Sequence, residues 1–162
     1  ERGVSGVESA LLLTFIGVGG LLGRIIGGGL TDRFGRLPGI IVAILLQTLA
    51  FVGFTLSDSF FWLATWAIAF GIGYSGVSVL FPALFGDLFG RAHAGAIVGY
   101  VFAVGGGSAA AGPYFAGVVF DTTGGYEVAF ITCAVLNVVG LALLVFLRPP
   151  PSDGLPLRRK SI

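Results

Sequence analysis

The sequence predicts an all-α integral membrane protein with five membrane-spanning helices. Of its 162 residues, 56% are hydrophobic and only 10% are charged, whereas roughly a quarter of the residues are charged in a typical soluble domain. The apolar residues form five runs of about 19 to 26 residues, each long enough to cross a hydrocarbon core of about 30 Å. Because a backbone inside lipid must satisfy its own hydrogen bonds, we expect these runs to be helices.

Turn-forming and charged residues mark where the apolar runs begin and end. Glu8 and Ser9 precede the first run, and Pro38 opens the second, where the first turn of a helix tolerates proline. Polar breaks at residues 57–59 and 121–125 divide the second run from the third and the fourth from the fifth. Within a transmembrane unit of residues 1–148, the predicted spans are 10–30, 38–56, 60–85, 95–119 and 126–147. The proline-rich tail, residues 149–162, is predicted to be extended and disordered.

The scarcity of reactive residues excludes several functional classes. Cys133 is the single cysteine and His93 the single histidine, so the sequence predicts neither an internal disulfide nor a typical metal cluster. The net charge is only +1, and no basic face is present to hold nucleic-acid phosphates. We therefore expect no metal, no cofactor and no nucleic-acid partner. We also expect no enzyme activity, because no cluster of polar catalytic groups meets inside the spans.

Basic residues are distributed unequally between the two ends of the predicted helices. The links after the first and third runs, together with the tail, contain Arg33, Arg36, Arg91, Arg148, Arg158, Arg159 and Lys160. The links at the opposite end contain Asp58, Asp121 and Glu127 instead. Because basic residues accumulate on the cytoplasmic side of membrane proteins, we expect a multi-pass protein of the cell membrane whose tail is cytoplasmic.

The link between the first two spans carries a motif. Residues 28–36 read Gly-Gly-Leu-Thr-Asp-Arg-Phe-Gly-Arg, in which Gly35 permits the positive φ of a sharp reversal. The segment resembles the signature loop of the major facilitator superfamily of secondary transporters, roughly G-x-x-x-D-r-x-G-r. A shorter echo, Asp87 to Arg91, occurs at the corresponding end of the third span, and three-helix repeats are expected of that fold.

This resemblance implies a place for the chain within the fold. The signature loop follows the second helix of each six-helix half, so the five spans correspond to the last five helices of the C-terminal half-bundle. The sequence contains no methionine, and we expect a fragment that lacks the first helix of this half. The expected partners are the lipid bilayer and the missing N-terminal half of the same chain.

One cation lies well inside the first span. Arg24 is eight positions before Asp32, which places it roughly 12 Å deeper in the membrane, and its side chain reaches only about half that distance. An arginine near the centre of a membrane helix costs about 2.5 to 3.5 kcal/mol on insertion scales. No acidic residue lies at this depth in the five runs. Arg24 therefore either binds an anionic substrate in a cavity or pairs with a carboxylate on an unseen helix.

A narrower resemblance favours the substrate role. In monocarboxylate transporters and their relatives, including oxalate–formate exchangers, the eighth helix carries an arginine at this offset from the loop, implicated in binding the carboxylate. Residues 86–91, 112–117 and 120–126 also look like that group. Some members place an acid one turn before the arginine for proton coupling, where this chain has Gly20. The oxalate exchangers use a lysine in the eleventh helix, which residues 95–119 lack, so the resemblance implies a monocarboxylate rather than a dicarboxylate.

The charges of the loop predict a conformational latch. Asp32 is expected near the N-terminus of a neighbouring helix, whose dipole attracts an anion, while Arg33 or Arg36 pairs with Asp87. The predicted latch comprises Asp32, Arg33, Gly35, Arg36, Asp87 and Arg91. The alternative is that these charges only keep the helix ends at the membrane surface.

Other polar or small residues inside the spans are weaker candidates. Hydroxyl groups predicted to line a substrate route are those of Tyr74, Ser75, Ser78, Tyr100 and Ser108. The small residues and proline of 105–113 predict close helix contact with a bend, and Cys133 and Asn137 are expected to serve helix packing.

Together these features predict secondary active transport of a small organic anion, a monocarboxylate by the resemblance, held by Arg24. Two helical halves would rock about a central site, with a proton as a possible second partner in symport or with exchange of one anion for another. Two alternatives stay open. One is a carrier of the same fold for a drug or sugar, in which Arg24 is structural; the other is a membrane scaffold or sensor that transports nothing.

Overall fold

The computed structural model describes residues 6–89 and 91–146, with their side chains except those of residues 30–33, 87–89 and 91–94. The elements in this part of the chain are α1 (Gly6–Phe34), α2 (Arg36–Leu56), α3 (Phe60–Phe89), α4 (Arg91–Thr123) and α5 (Glu127–Phe146). All five are long and apolar enough to cross a membrane. The predicted all-α membrane class is therefore confirmed, while the tail of residues 149–162 lies outside the described residues.

The breaks after α1 and α3 are shorter than the sequence predicts, whereas the break at residues 57–59 is as predicted. α1 continues to Phe34 and α2 begins at Arg36, so Gly35 alone separates them. Gly35 has a φ of 89°, a left-handed conformation that glycine adopts readily because it has no Cβ. The charged segment expected as a tight turn is thus mostly the last turn of α1. In the same way, most of the polar link expected at residues 86–94 belongs to α3 and α4.

α3 lies at the centre of the bundle, in contact with α1, α2 and α4. Along α1, Gly19 and Gly23 meet Ile68 and Ile72 of α3 in the same order, so the two helices run parallel. A Cβ at Gly19 would lie 3.0 Å from the Cα of Ile68, and one at Gly23 would lie 2.9 Å from the Cα of Ile72. The glycines thus bring the two backbones together, as small residues do between membrane helices.

α2 packs on another face of α3 and also on α5. Gly73 of α3 fits against α2 so closely that a Cβ there would lie 2.6 Å from the carbonyl oxygen of Ala43. Across the α2–α5 contact, the Asn137 side-chain amide donates a hydrogen bond to Oε1 of Gln47 at 3.2 Å. The prediction that Asn137 serves helix packing is therefore confirmed.

α4 is the least covered of the described helices. It contacts α3 and α5, and every residue from 99 to 115 is exposed. A Cβ added at Gly105, Gly106 or Gly107 would meet nothing within 4 Å. The close contact predicted for residues 105–113 is not made with any described helix, so its partner stays a prediction.

Candidate functional site

Arg24 lies beside the strip of glycines through which α1 packs on α3. Its side chain is exposed, and no hydrogen bond or ion pair joins its guanidinium to another described residue. On the same face of α1, a Cβ added at Gly17 or Gly28 would meet nothing within 4 Å, and one at Gly20 would only touch Ser75 at 3.9 Å. The guanidinium therefore stands on a helix surface where three of its helical neighbours, Gly17, Gly20 and Gly28, have no side chain.

Tyr74 and Ser78 lie on the same flank of the α1–α3 pair as Arg24. The register is set by Gly71 of α3, where a Cβ would lie 2.9 Å from the backbone nitrogen of Gly20. Arg24 follows Gly20 by one turn of α1. Tyr74 and Ser78 follow Gly71 by about one and two turns of α3. Each of the three residues therefore lies close to the line along which α1 and α3 are in contact. Because the helices are parallel, the turn of about 100° per residue brings these three side chains to one flank.

Both hydroxyl-bearing side chains on this flank are accessible. Tyr74 is 60% exposed, and Ser78 is also exposed. The ring of Tyr74 stacks on the ring of Phe70, with the ring centroids 5.9 Å apart. The ring of Phe70 in turn packs edge-on against that of Phe51 in α2, with centroids 5.2 Å apart. This aromatic packing connects the Tyr74 ring through Phe70 to α2.

Tyr100, the remaining predicted substrate-binding residue, lies on a helix that is not in contact with α1 in the described residues. It lies on α4 and is 74% exposed. Within the described residues α4 contacts α3 and α5 but not α1. The structure therefore does not bring Tyr100 against Arg24, and its place on a substrate route stays a prediction.

Among the arginines of the predicted latch, the structure describes the side chain of Arg36. Nη1 of Arg36, at the start of α2, donates a hydrogen bond to the backbone carbonyl oxygen of Ala83 in α3. A backbone carbonyl cannot be recognised in a sequence, so the sequence analysis does not predict this acceptor. The neighbouring Pro82, a proline inside α3, is the only sign in the sequence near this position. The side chains of Asp32, Arg33, Asp87 and Arg91 lie outside the described residues, and their predicted pairing stays a prediction.

One polar atom stands out in the contact between α1 and α3. Ser75 is 4% exposed, and its Oγ is buried with no hydrogen-bond partner among the described residues. Its Cβ faces Gly20, one turn before Arg24 on α1. The sequence identifies Ser75 only as one hydroxyl among several, because the helix register that buries it depends on the fold.

The flank combines an exposed cation with hydroxyl donors and contains no described carboxylate. The described acidic side chains, Glu8, Asp58, Asp121 and Glu127, lie in or next to the first or last turns of their helices. Among the described residues no group of three His, Cys, Asp or Glu side chains is placed to hold a metal ion. The arrangement is suited to binding a small anion, because a guanidinium pairs with a carboxylate through two parallel hydrogen bonds.

Comparison with known proteins gives the family. Monocarboxylate transporter 12 of Mus musculus is 28% identical over 150 residues, which cover 90% of this chain and 31% of the transporter. Monocarboxylate transporter 12 of Xenopus laevis is 29% identical over 154 residues, covering 88% of this chain and 33% of the transporter. Monocarboxylate transporter 14 of Mus musculus is 39% identical over 75 residues, covering 46% of this chain and 15% of the transporter.

The chain thus spans 31% to 33% of the length of the transporter 12 relatives. The family profile of the Major Facilitator Superfamily matches residues 1–161, which is nearly the whole chain. This match and the monocarboxylate transporter relatives confirm the resemblance that the loop motif indicates. The chain belongs to the Major Facilitator Superfamily.

Proposed function

We propose that this chain is part of a secondary transporter that carries a small monocarboxylate across the membrane by alternating access. The observation that carries the proposal is the exposed guanidinium of Arg24 on a glycine-flanked surface deep in α1. Tyr74 and Ser78 on the same flank supply hydroxyl donors for the rest of the anion. Electrostatic attraction between arginine and carboxylate is stronger at a site where little water enters. The relatives, which are named monocarboxylate transporters, support the same substrate class.

The remaining parts of the carrier follow from this proposal. The protein lies in the cell membrane with its tail in the cytoplasm, and the N-terminal half supplies the opposite wall of the cavity. Transport couples either to a proton or to exchange for a second anion. The bond from Arg36 to Ala83 ties the start of α2 to α3, and we assign it to the latch that holds one facing state.

Uptake by the full-length protein in proteoliposomes tests the substrate class. We expect saturable uptake of labelled pyruvate and no uptake of methyl pyruvate above protein-free vesicles, because the ester has no carboxylate for Arg24. Glucose provides a second neutral control. Saturable uptake of glucose without pyruvate uptake would favour a sugar carrier, and uptake of neither solute by stable, correctly inserted protein would favour a scaffold.

The coupling mode is measured in the same vesicles. With a proton-coupled carrier, an inwardly directed pH gradient accelerates net pyruvate uptake. With an exchanger, uptake instead requires unlabelled pyruvate inside the vesicle, and its rate does not depend on the pH gradient. Gly20 occupies the position where some related carriers place an acid, so we expect the requirement for internal anion to be the stronger effect.

The Arg36 latch gives a separate prediction. Arg36→Ala removes the hydrogen bond to Ala83 and is expected to lower the maximal rate of pyruvate uptake about tenfold, with KM within twofold of the original, since one charge-assisted hydrogen bond contributes about 1.5 kcal/mol or more. Arg36→Lys keeps a donor and should retain most of the rate. A rise in KM with an unchanged rate would place Arg36 in substrate binding instead.

A further inference from the structure

Ser75 differs from the other hydroxyl-bearing residues whose bonds are described in the spans. In eight of these residues the side-chain hydroxyl donates a hydrogen bond to the backbone carbonyl oxygen of the residue four positions earlier. They are Thr14, Thr48, Thr55, Thr65, Ser108, Thr122, Thr123 and Thr132. The Oγ of Ser75 makes no such bond and is buried without a hydrogen-bond partner in the part of the chain that the structure describes. A buried hydroxyl that is not hydrogen-bonded is unfavourable, so a bound molecule that hydrogen-bonds Ser75 Oγ would be stabilised there.

The position of Ser75 indicates what that partner is. Ser75 follows Gly71 by one turn on α3, and Arg24 follows Gly20 by one turn on α1, while Gly71 and Gly20 touch. A rise of about 1.5 Å per residue separates Gly20 from Arg24 by about 6 Å along the axis. The hydroxyl is therefore at the inner edge of the flank on which Arg24 lies, within the length of a small organic anion.

Gly20 also leaves space beside Ser75 that a substrate could enter. A Cβ there would be in ordinary contact with the Cβ of Ser75 at 3.9 Å, so the glycine hydrogen leaves a gap beside the hydroxyl. Where α1 and α3 move apart at this point during alternating access, Gly20 places no Cβ beside Ser75. The matching face of α3 has Gly71, which likewise carries no side chain.

We propose that Ser75 is a specificity-determining residue of the Arg24 site. Its hydroxyl hydrogen-bonds the oxygen on the carbon next to the substrate carboxylate, while Arg24 holds the carboxylate itself. The site then prefers 2-oxo and 2-hydroxy monocarboxylates over unsubstituted ones of the same size. This inference rests on the proposed function, since it assigns a second contact to the same substrate.

Pyruvate and propionate test this assignment, because they match in carbon number and charge and differ at the 2-oxygen. Uptake kinetics are measured with the full-length protein, its Ser75→Ala variant and a Thr65→Val control in proteoliposomes. Thr65 lies on the same helix, and its hydroxyl is bonded to the carbonyl oxygen of Phe61. We expect the unaltered protein and Thr65→Val to favour pyruvate by about fivefold to tenfold in KM, the effect of one hydrogen bond.

In Ser75→Ala the KM for pyruvate should rise to that for propionate, and the KM for propionate should stay the same. The variant's melting temperature without substrate should be equal or higher, because an unpartnered buried hydroxyl is removed. Equal KM values in the unaltered protein, equal losses for both anions, or a lower melting temperature would overturn the role of Ser75. If Arg24→Lys leaves uptake of both anions intact, or the unaltered protein takes up neither, the proposed function itself fails and this assignment fails with it.

Discussion

Arg24→Leu is expected to abolish pyruvate uptake while leaving the protein at least as stable as before. Leucine at the centre of a membrane helix is favoured over arginine by about 3 kcal/mol on insertion scales, and the described residues offer Arg24 no ion pair to lose. Removing one partner of a hydrogen-bonded charge pair costs about 2 kcal/mol or more, which corresponds to at least about a 30-fold loss. A gain or retention of stability together with a loss of transport marks a substrate ligand.

Two companion variants separate charge from geometry. Arg24→Lys keeps the positive charge but not the planar pair of donors that matches a carboxylate, so we expect weakened rather than absent pyruvate uptake. Leu22→Ala alters an exposed residue two positions earlier on α1 and should leave the pyruvate KM unchanged. A clear fall in melting temperature for Arg24→Leu, with transport of a neutral solute retained, would identify Arg24 as a structural partner of another helix.

The sequence is sufficient to predict the number and kind of helices, because that information lies in local hydropathy. Runs of apolar residues define the spans, and Gly35 between two arginines marks the reversal where the structure has φ 89°. The extent of the turn was harder to predict. Asp32 and Arg33 are polar enough to suggest that the helix ends before them, yet they belong to the last turn of α1. A charged residue at a membrane surface remains solvated whether it is helical or not.

The sequence predicts only those parts of the candidate site whose chemical role is evident from a single residue. An arginine inside an apolar run is conspicuous on its own, so the sequence identifies Arg24 as a candidate. The burial of Ser75 against Gly20 depends on the register between two helices that are far apart in sequence, and glycine-rich α1 offers several registers of similar composition. The contact of Arg36 with the carbonyl oxygen of Ala83 likewise depends on how α2 packs on α3, while the predicted pairing of Arg33 or Arg36 with Asp87 stays a prediction.

The α1–α3 register is the feature on which both Arg24 and Ser75 depend, and Gly23→Ala tests it. The new Cβ would lie 2.9 Å from the Cα of Ile72 and closer still to its carbonyl oxygen. Backbone atoms cannot rotate away as a side chain can, so the two helices must separate. We expect a loss of about 1 to 3 kcal/mol, the usual effect of overpacking, seen as a melting temperature several degrees lower in detergent. Pyruvate KM should also rise because Arg24 moves away from Tyr74.

Gly29→Ala is the matched control on the same helix. Gly29 is exposed, and a Cβ there would meet nothing within 4 Å. Alanine favours a helix over glycine by up to about 1 kcal/mol, so this variant should melt at the same or a slightly higher temperature with unchanged uptake. The contrast between the two glycines isolates helix contact from helix propensity. If Gly23→Ala proved as well tolerated as Gly29→Ala, α1 and α3 would not meet at Gly23, and the flank that joins Arg24 to Tyr74, Ser75 and Ser78 would lose its basis.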